Sequence, residues 1–195
     1  MTKIPTQLEN KIAKAALQLL AKNSWQALTL EQIAKAAKVS TQKIKKTFSH
    51  KNDLLPAFIR YMDQETASHI SKPSLRAPPH DRLFDVLMTR FEILQKHRTA
   101  ILKLADEVKR DPSLLRLTLP TEIKAMQKVL HLAGLHEEGP QELIATTGLL
   151  ALYGIVLCTW QNDQTHDLSK TMATLDRHLR YAGKIADIIF RLGQK

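Results

Sequence analysis

An all-α fold is what this sequence predicts, and three observations carry the prediction. Ala, Leu, Lys and Gln, all good helix formers, recur along the whole chain, whereas β-branched and aromatic clusters are rare. Apolar residues return every three or four positions in one segment after another. Capping residues and prolines stand where those segments begin and stop. With 195 residues and 44% hydrophobic content, the chain can bury a core in one large domain or two unequal ones.

Thr6 and Glu9 stand in capping-box spacing before a helix that aligns Leu8, Ile12, Ala16 and Leu19 and ends at Asn23-Ser24. Trp25 and Leu28 read as apolar plugs in a short connection. Thr29 and Gln32 open a short helix from Leu30 to about Ala36, and Ala37-Lys38-Val39 forms a tight turn. Ser40 then caps a second short helix through about Lys46, with Ile44 inward and Gln42, Lys43, Lys45 and Lys46 outward. A longer helix is expected from Ser49 or His50, carrying Leu54, Leu55, Phe58, Ile59 and Met62, with a kink at Pro56 unless the helix starts later.

Pro73, Pro78 and Pro79 make 72–80 the clearest linker. Beyond it, Asp81–Gln95 aligns Phe84, Leu87, Met88, Phe91 and Leu94, and Thr99–Arg110 follows until Asp111-Pro112 stops it. Another helix is expected from Thr121 to a cap at Gly134. Pro140 starts a helix whose stretch Leu143–Trp160 has no charge; we read it as a buried core helix rather than a membrane span. The last helix, from about Leu168 to Leu192, carries a seam of Met172, Leu175, Leu179, Ala182, Ala186 and Ile189, which is expected to join a second copy in a homodimer.

Charge divides the chain. Residues 1–51 hold ten Lys against Glu9 and Glu31, while 73–195 hold seventeen basic and fourteen acidic side chains, so most of the net +10 belongs to the N-terminal segment. Such a segment calls for a polyanion, nucleic acid first and an anionic membrane second. We therefore divide the chain into a head, 1–50, and a helical body, 51–195. In the head, Gln42 suits adenine, Lys43 guanine or phosphate, and Lys45, Lys46 and Lys51 phosphates; Thr29, Ser40 and Thr41 lie on the same surface. Double-stranded DNA is thus the expected partner.

Cys158 stands alone, so no internal disulfide forms, and a cytoplasmic location and an inert packed thiol are expected. Arg82, Asp85 and Arg90 are expected to pair on one helix surface, as are Asp176 and Arg180. No glycine-rich phosphate loop, nucleophile elbow or metal-ligand spacing occurs, which argues against an enzyme, a metal or a cofactor.

The segment from Ala15 to Leu55 resembles the DNA-binding domain of the TetR family. The resemblance rests on Leu30-Glu31-Gln32-Ile33-Ala34, Ala37, Val39-Ser40, Phe48, Lys51 and Leu54-Leu55. It implies a helix-turn-helix head on a helical body in a dimeric, cytoplasmic transcription regulator, by family habit a repressor. The sequence departs from the family at Lys38, where a turn glycine is usual, at Gln42 and at Lys45. Lys38 is strained if that turn is left-handed.

A second resemblance links Asp81–Met88, Arg90-Phe91, Trp160, Asp163 and Thr171–Arg177 to the lipid-binding accessory family of coenzyme Q biosynthesis, whose fold is similar. It implies a pocket for an apolar small molecule, with Phe84, Met88, Phe91, Leu152, Val156 and Trp160 as its lining. It also supplies an alternative function, a lipid- or quinone-binding accessory protein that keeps the fold without binding DNA.

Overall fold

The computed structural model describes residues 6–70, 76–135 and 138–192, with side chains up to residue 184. Among these, the chain is helical without a strand. The helices are α1 (Gln7–Lys22), α2 (Leu30–Ala36), α3 (Thr41–Thr47), α4 (Leu54–His69), α5 (Pro79–Lys96), α6 (Arg98–Arg110), α7 (Ser113–Leu132), α8 (Pro140–Asn162) and α9 (Ser169–Leu192). They form two compact units. The first takes residues up to Ser68 with Glu92–Ala125, the second His69–Phe91 with Met126 onward. The Lys-rich head therefore shares its compact unit with α6 and with parts of α5 and α7.

In the first unit α1 packs on α2 and α6, and α2 packs on α3. Ile12, Ala16, Leu17 and Leu20 are buried on α1, and Trp25 meets Phe58 of α4 edge to face at 6.2 Å between ring centroids. Both capping boxes read from the sequence form. The Thr6 hydroxyl accepts from Glu9 N at 3.2 Å, and that of Thr29 from Gln32 N at 3.2 Å.

Two prolines are placed differently from the sequence expectation. A single 3₁₀ turn over Lys51–Asp53 precedes α4, so Pro56 falls in the first turn of that helix, where no backbone donor is needed and no kink arises. α7 starts at Ser113 rather than Thr121 and runs through Pro120. α6 stops at Arg110 as expected, and Asp111 Oδ1 accepts from Ser113 N (3.0 Å) and Oγ (2.6 Å), which starts α7 directly after that stop.

In the second unit α9 packs on α8. Asp163, buried in their connection, accepts from Thr165 N and Oγ1 at 3.0 and 2.5 Å and from Thr171 N and Oγ1 at 2.8 Å each. Burial alone would raise its pKa, but these four hydrogen bonds outweigh it and hold the carboxyl well below the usual range.

The helix α8, uncharged from Leu143 to Trp160, is not fully buried. Thr146, Leu149, Leu152, Tyr153, Val156 and Trp160 face inward, while Leu143, Ile144 and Ile155 are 67, 60 and 49% exposed. It is long and apolar enough to cross a membrane by length and composition. Cys158 lies on its exposed side, which corrects the reading of that thiol as packing. Arg82 and Arg90 are likewise buried rather than paired at the surface. Arg82 Nη1 donates to the carbonyls of Ala133 (2.8 Å) and Gly134 (3.2 Å), and Arg90 Nε donates to the Tyr153 hydroxyl at 3.2 Å. The Asp176–Arg180 pair does form, at 2.9 and 3.1 Å.

Candidate nucleic-acid interface

The arrangement at residues 29–48 follows from one buried anchor and two caps. Ile44 is the only side chain of α3 that is buried, against α2, whose Ile33 and Ala34 are buried as well. Ser40 Oγ accepts from Lys43 N at 3.3 Å and fixes the start of α3. Phe48, buried, closes its end. Thr41, Gln42, Lys43, Lys45 and Lys46 are left exposed around a rigidly held helix of seven residues, about 10 Å long. Thr29 and Ser40 are also exposed, though their hydroxyls serve as helix caps.

The turn before α3 is a Schellman motif. Lys38 N donates to Lys35 O at 3.1 Å and Val39 N to Ala34 O at 3.0 Å. Its left-handed position is Lys38, with φ of 50°, in the region that favours glycine. The same pair of bonds ends α7, from Gly134 N to His131 O and Leu135 N to Leu130 O, and there glycine holds the left-handed position with φ of 65°.

Two of the lysines expected on DNA are engaged within the chain. Lys45 Nζ donates to Glu31 Oε1 at 2.7 Å, and this contact holds the Glu31 carboxyl below its ordinary pKa. Both side chains are about half exposed, so the pair is weak and a phosphate can replace the carboxylate. Lys51 is held more firmly. Its Nζ donates to the carbonyls of Trp25 (2.7 Å) and Gln26 (3.3 Å) and lies over the Trp25 ring, and burial lowers its pKa. It braces the 25–26 connection rather than presenting a free cation.

Sequence reasoning missed how α6 grips that connection. Lys103 Nζ donates to the carbonyls of Ala21 (3.0 Å) and Asn23 (3.1 Å), and Gln26 Nε2 donates to Glu107 Oε2 at 2.7 Å. Backbone carbonyls about eighty residues away leave no pattern in a sequence.

In the second unit, Met88, Phe91, Leu152, Val156 and Trp160 are buried, and Phe84, half-buried, stacks on His80. Of the α9 seam, Leu175 and Leu179 are buried within the chain, while Met172 and Ala182 are exposed; the side chains of Ala186 and Ile189 lie outside the described residues. A cavity of about 520 Å³ lies in the first unit, between α1, the end of α2 and the α5–α6 corner. Among the described residues no group of His, Cys, Asp and Glu is placed to hold a metal ion.

A short exposed helix braced by another across a three-residue turn defines a helix-turn-helix head in an all-helical chain. Residues 12–58 match the family described as bacterial regulatory proteins, tetR family. Solved TetR transcriptional regulators have the same fold. The one from Nitrosomonas europaea ATCC 19718 superimposes with a TM-score of 0.72 at 21% identity, over 91% of this chain and 99% of that one. Those from Rhodococcus sp. RHA1 and Streptomyces coelicolor both give 0.59 at 17% identity, over 88% and 94% of this chain and 92% and 89% of theirs. No curated protein sequence matches the chain.

Proposed function

We propose that the chain is a transcription regulator that places α3 in the major groove of duplex DNA. The observation that carries this reading is the exposed face Thr41, Gln42, Lys43, Lys45 and Lys46 on a helix fixed by Ile44 and Ser40. A helix about 10 Å long fits a groove about 12 Å wide, where Lys43 and Gln42 reach base edges or phosphates. Lys46 and Lys45, the latter after leaving Glu31, neutralise backbone phosphates. The tetR family match over residues 12–58 supports the same reading. The experiment is selection from a pool of random duplexes. Recovery of a common half-site motif supports the function, and a pool that remains random after repeated rounds refutes it.

We also infer a homodimer, with the exposed face of α8 and Met172 and Tyr181 of α9 as its interface. Large apolar side chains stand there beside Gly148 and Gly154, around which a Cβ would meet nothing within 4 Å, so a partner helix can approach closely. Two heads related by a twofold axis would read half-sites about 34–36 Å apart.

A further inference from the structure

We propose that the cavity between α1, the end of α2 and the α5–α6 corner binds a small amphiphilic anion, an alkyl carboxylate or alkyl phosphate. Its volume, about 520 Å³, lies within the roughly 300–1,000 Å³ of small-molecule sites. Leu19, Ala36 and Ala100 give it apolar lining, and Lys22 and Lys96 bring cations from two helices. Lys22 and Lys96 are exposed, and neither pairs with a carboxylate among the described residues. Arg98 Nη1 donates to Gln95 Oε1 at 3.2 Å, and both side chains have further contacts.

His97 lines the cavity, and burial lowers the pKa of its imidazole. Of the charges that act on it, Glu65 has the largest effect and raises the pKa, while Lys14 and Lys96 lower it. A positive rim favours an anion, and the apolar lining favours one that carries a short chain over a bare ion. Ala36 directly precedes the Ala37-Lys38-Val39 turn, so an occupant would touch the helix that braces α3.

The full chain is titrated with octanoate and with octyl phosphate, followed by calorimetry and by backbone amide NMR. Inorganic phosphate and octyltrimethylammonium serve as controls. Both octyl anions are expected to bind saturably, one per chain, and to shift amides within 15–22 and 95–100. Lys22→Gln/Lys96→Gln, at exposed positions, should weaken binding about tenfold, and Ala36→Leu should weaken it by filling the site without changing charge. Either result in a variant with an unchanged far-UV spectrum supports the site. The proposal fails if neither anion saturates, if the cationic probe or bare phosphate binds equally well, or if the shifts map to the second unit. It also fails if duplex DNA moves these amides while the octyl anions do not.

Discussion

Lys38 occupies the position that Gly134 occupies in an otherwise identical helix end, and the two differ in what the left-handed conformation costs. A side chain with a Cβ there is destabilised by about 1–2 kcal/mol, while glycine gives back part of that through the entropy of the unfolded chain. Lys38→Gly should therefore raise stability by about 1 kcal/mol, seen as an apparent Tm higher by about 2–4 °C in a thermal melt. An unchanged or lower Tm would show that the turn relaxes around Lys38. That position was legible as a departure, because the resemblance to the TetR DNA-binding domain implies a glycine there. Lys51 was not, since its acceptors are the backbone carbonyls of Trp25 and Gln26, and carbonyls are the same at every residue. Lys45 was read as a free cation because nothing in sequence order links it to Glu31.

Helix starts were legible wherever a side chain of known chemistry sits three residues before its partner, as Thr6, Thr29 and Ser40 do. Prolines misled because the same residue breaks a helix interior and suits a first turn, and only the register of the helix separates the two for Pro56. The uncharged length of α8 was read as burial, yet a helix that is apolar on all sides does not reveal which side meets its neighbour. Its junction with α9 depends on Asp163. The folded carboxyl lies below the ordinary value near 3.8, so its contribution to stability is present above about pH 4 and is lost as pH falls through the acid range. Asp163→Asn should cost about 2–3 kcal/mol at neutral pH, because two of the four donors lose their acceptor and the other two lose its charge. Urea midpoints of the two proteins should converge as pH is lowered from 7 toward 3; a gap that stays constant would assign the loss to packing instead.

Apolar side chains on α8 and α9 stay exposed, and a symmetric partner is the arrangement we propose to cover them. The sequence seam named Leu175 and Leu179, which the chain uses internally; the free positions are Ile144, Ile155, Met172 and Tyr181. Ile155→Glu should convert a dimer to a folded monomer in light scattering at micromolar concentration. A monomeric wild type, or a variant that stays dimeric, would reject this interface.

The central claim is that α3 meets DNA through its own lysines, and the salt dependence of duplex binding tests it most directly. Anisotropy of a selected duplex, measured for the wild type and for Lys43→Ala/Lys46→Ala, gives a slope of log affinity against log salt. The account predicts weaker binding and a slope shallower by about 0.9 for each lost phosphate contact. Equal affinity and equal slope in the two proteins would contradict it.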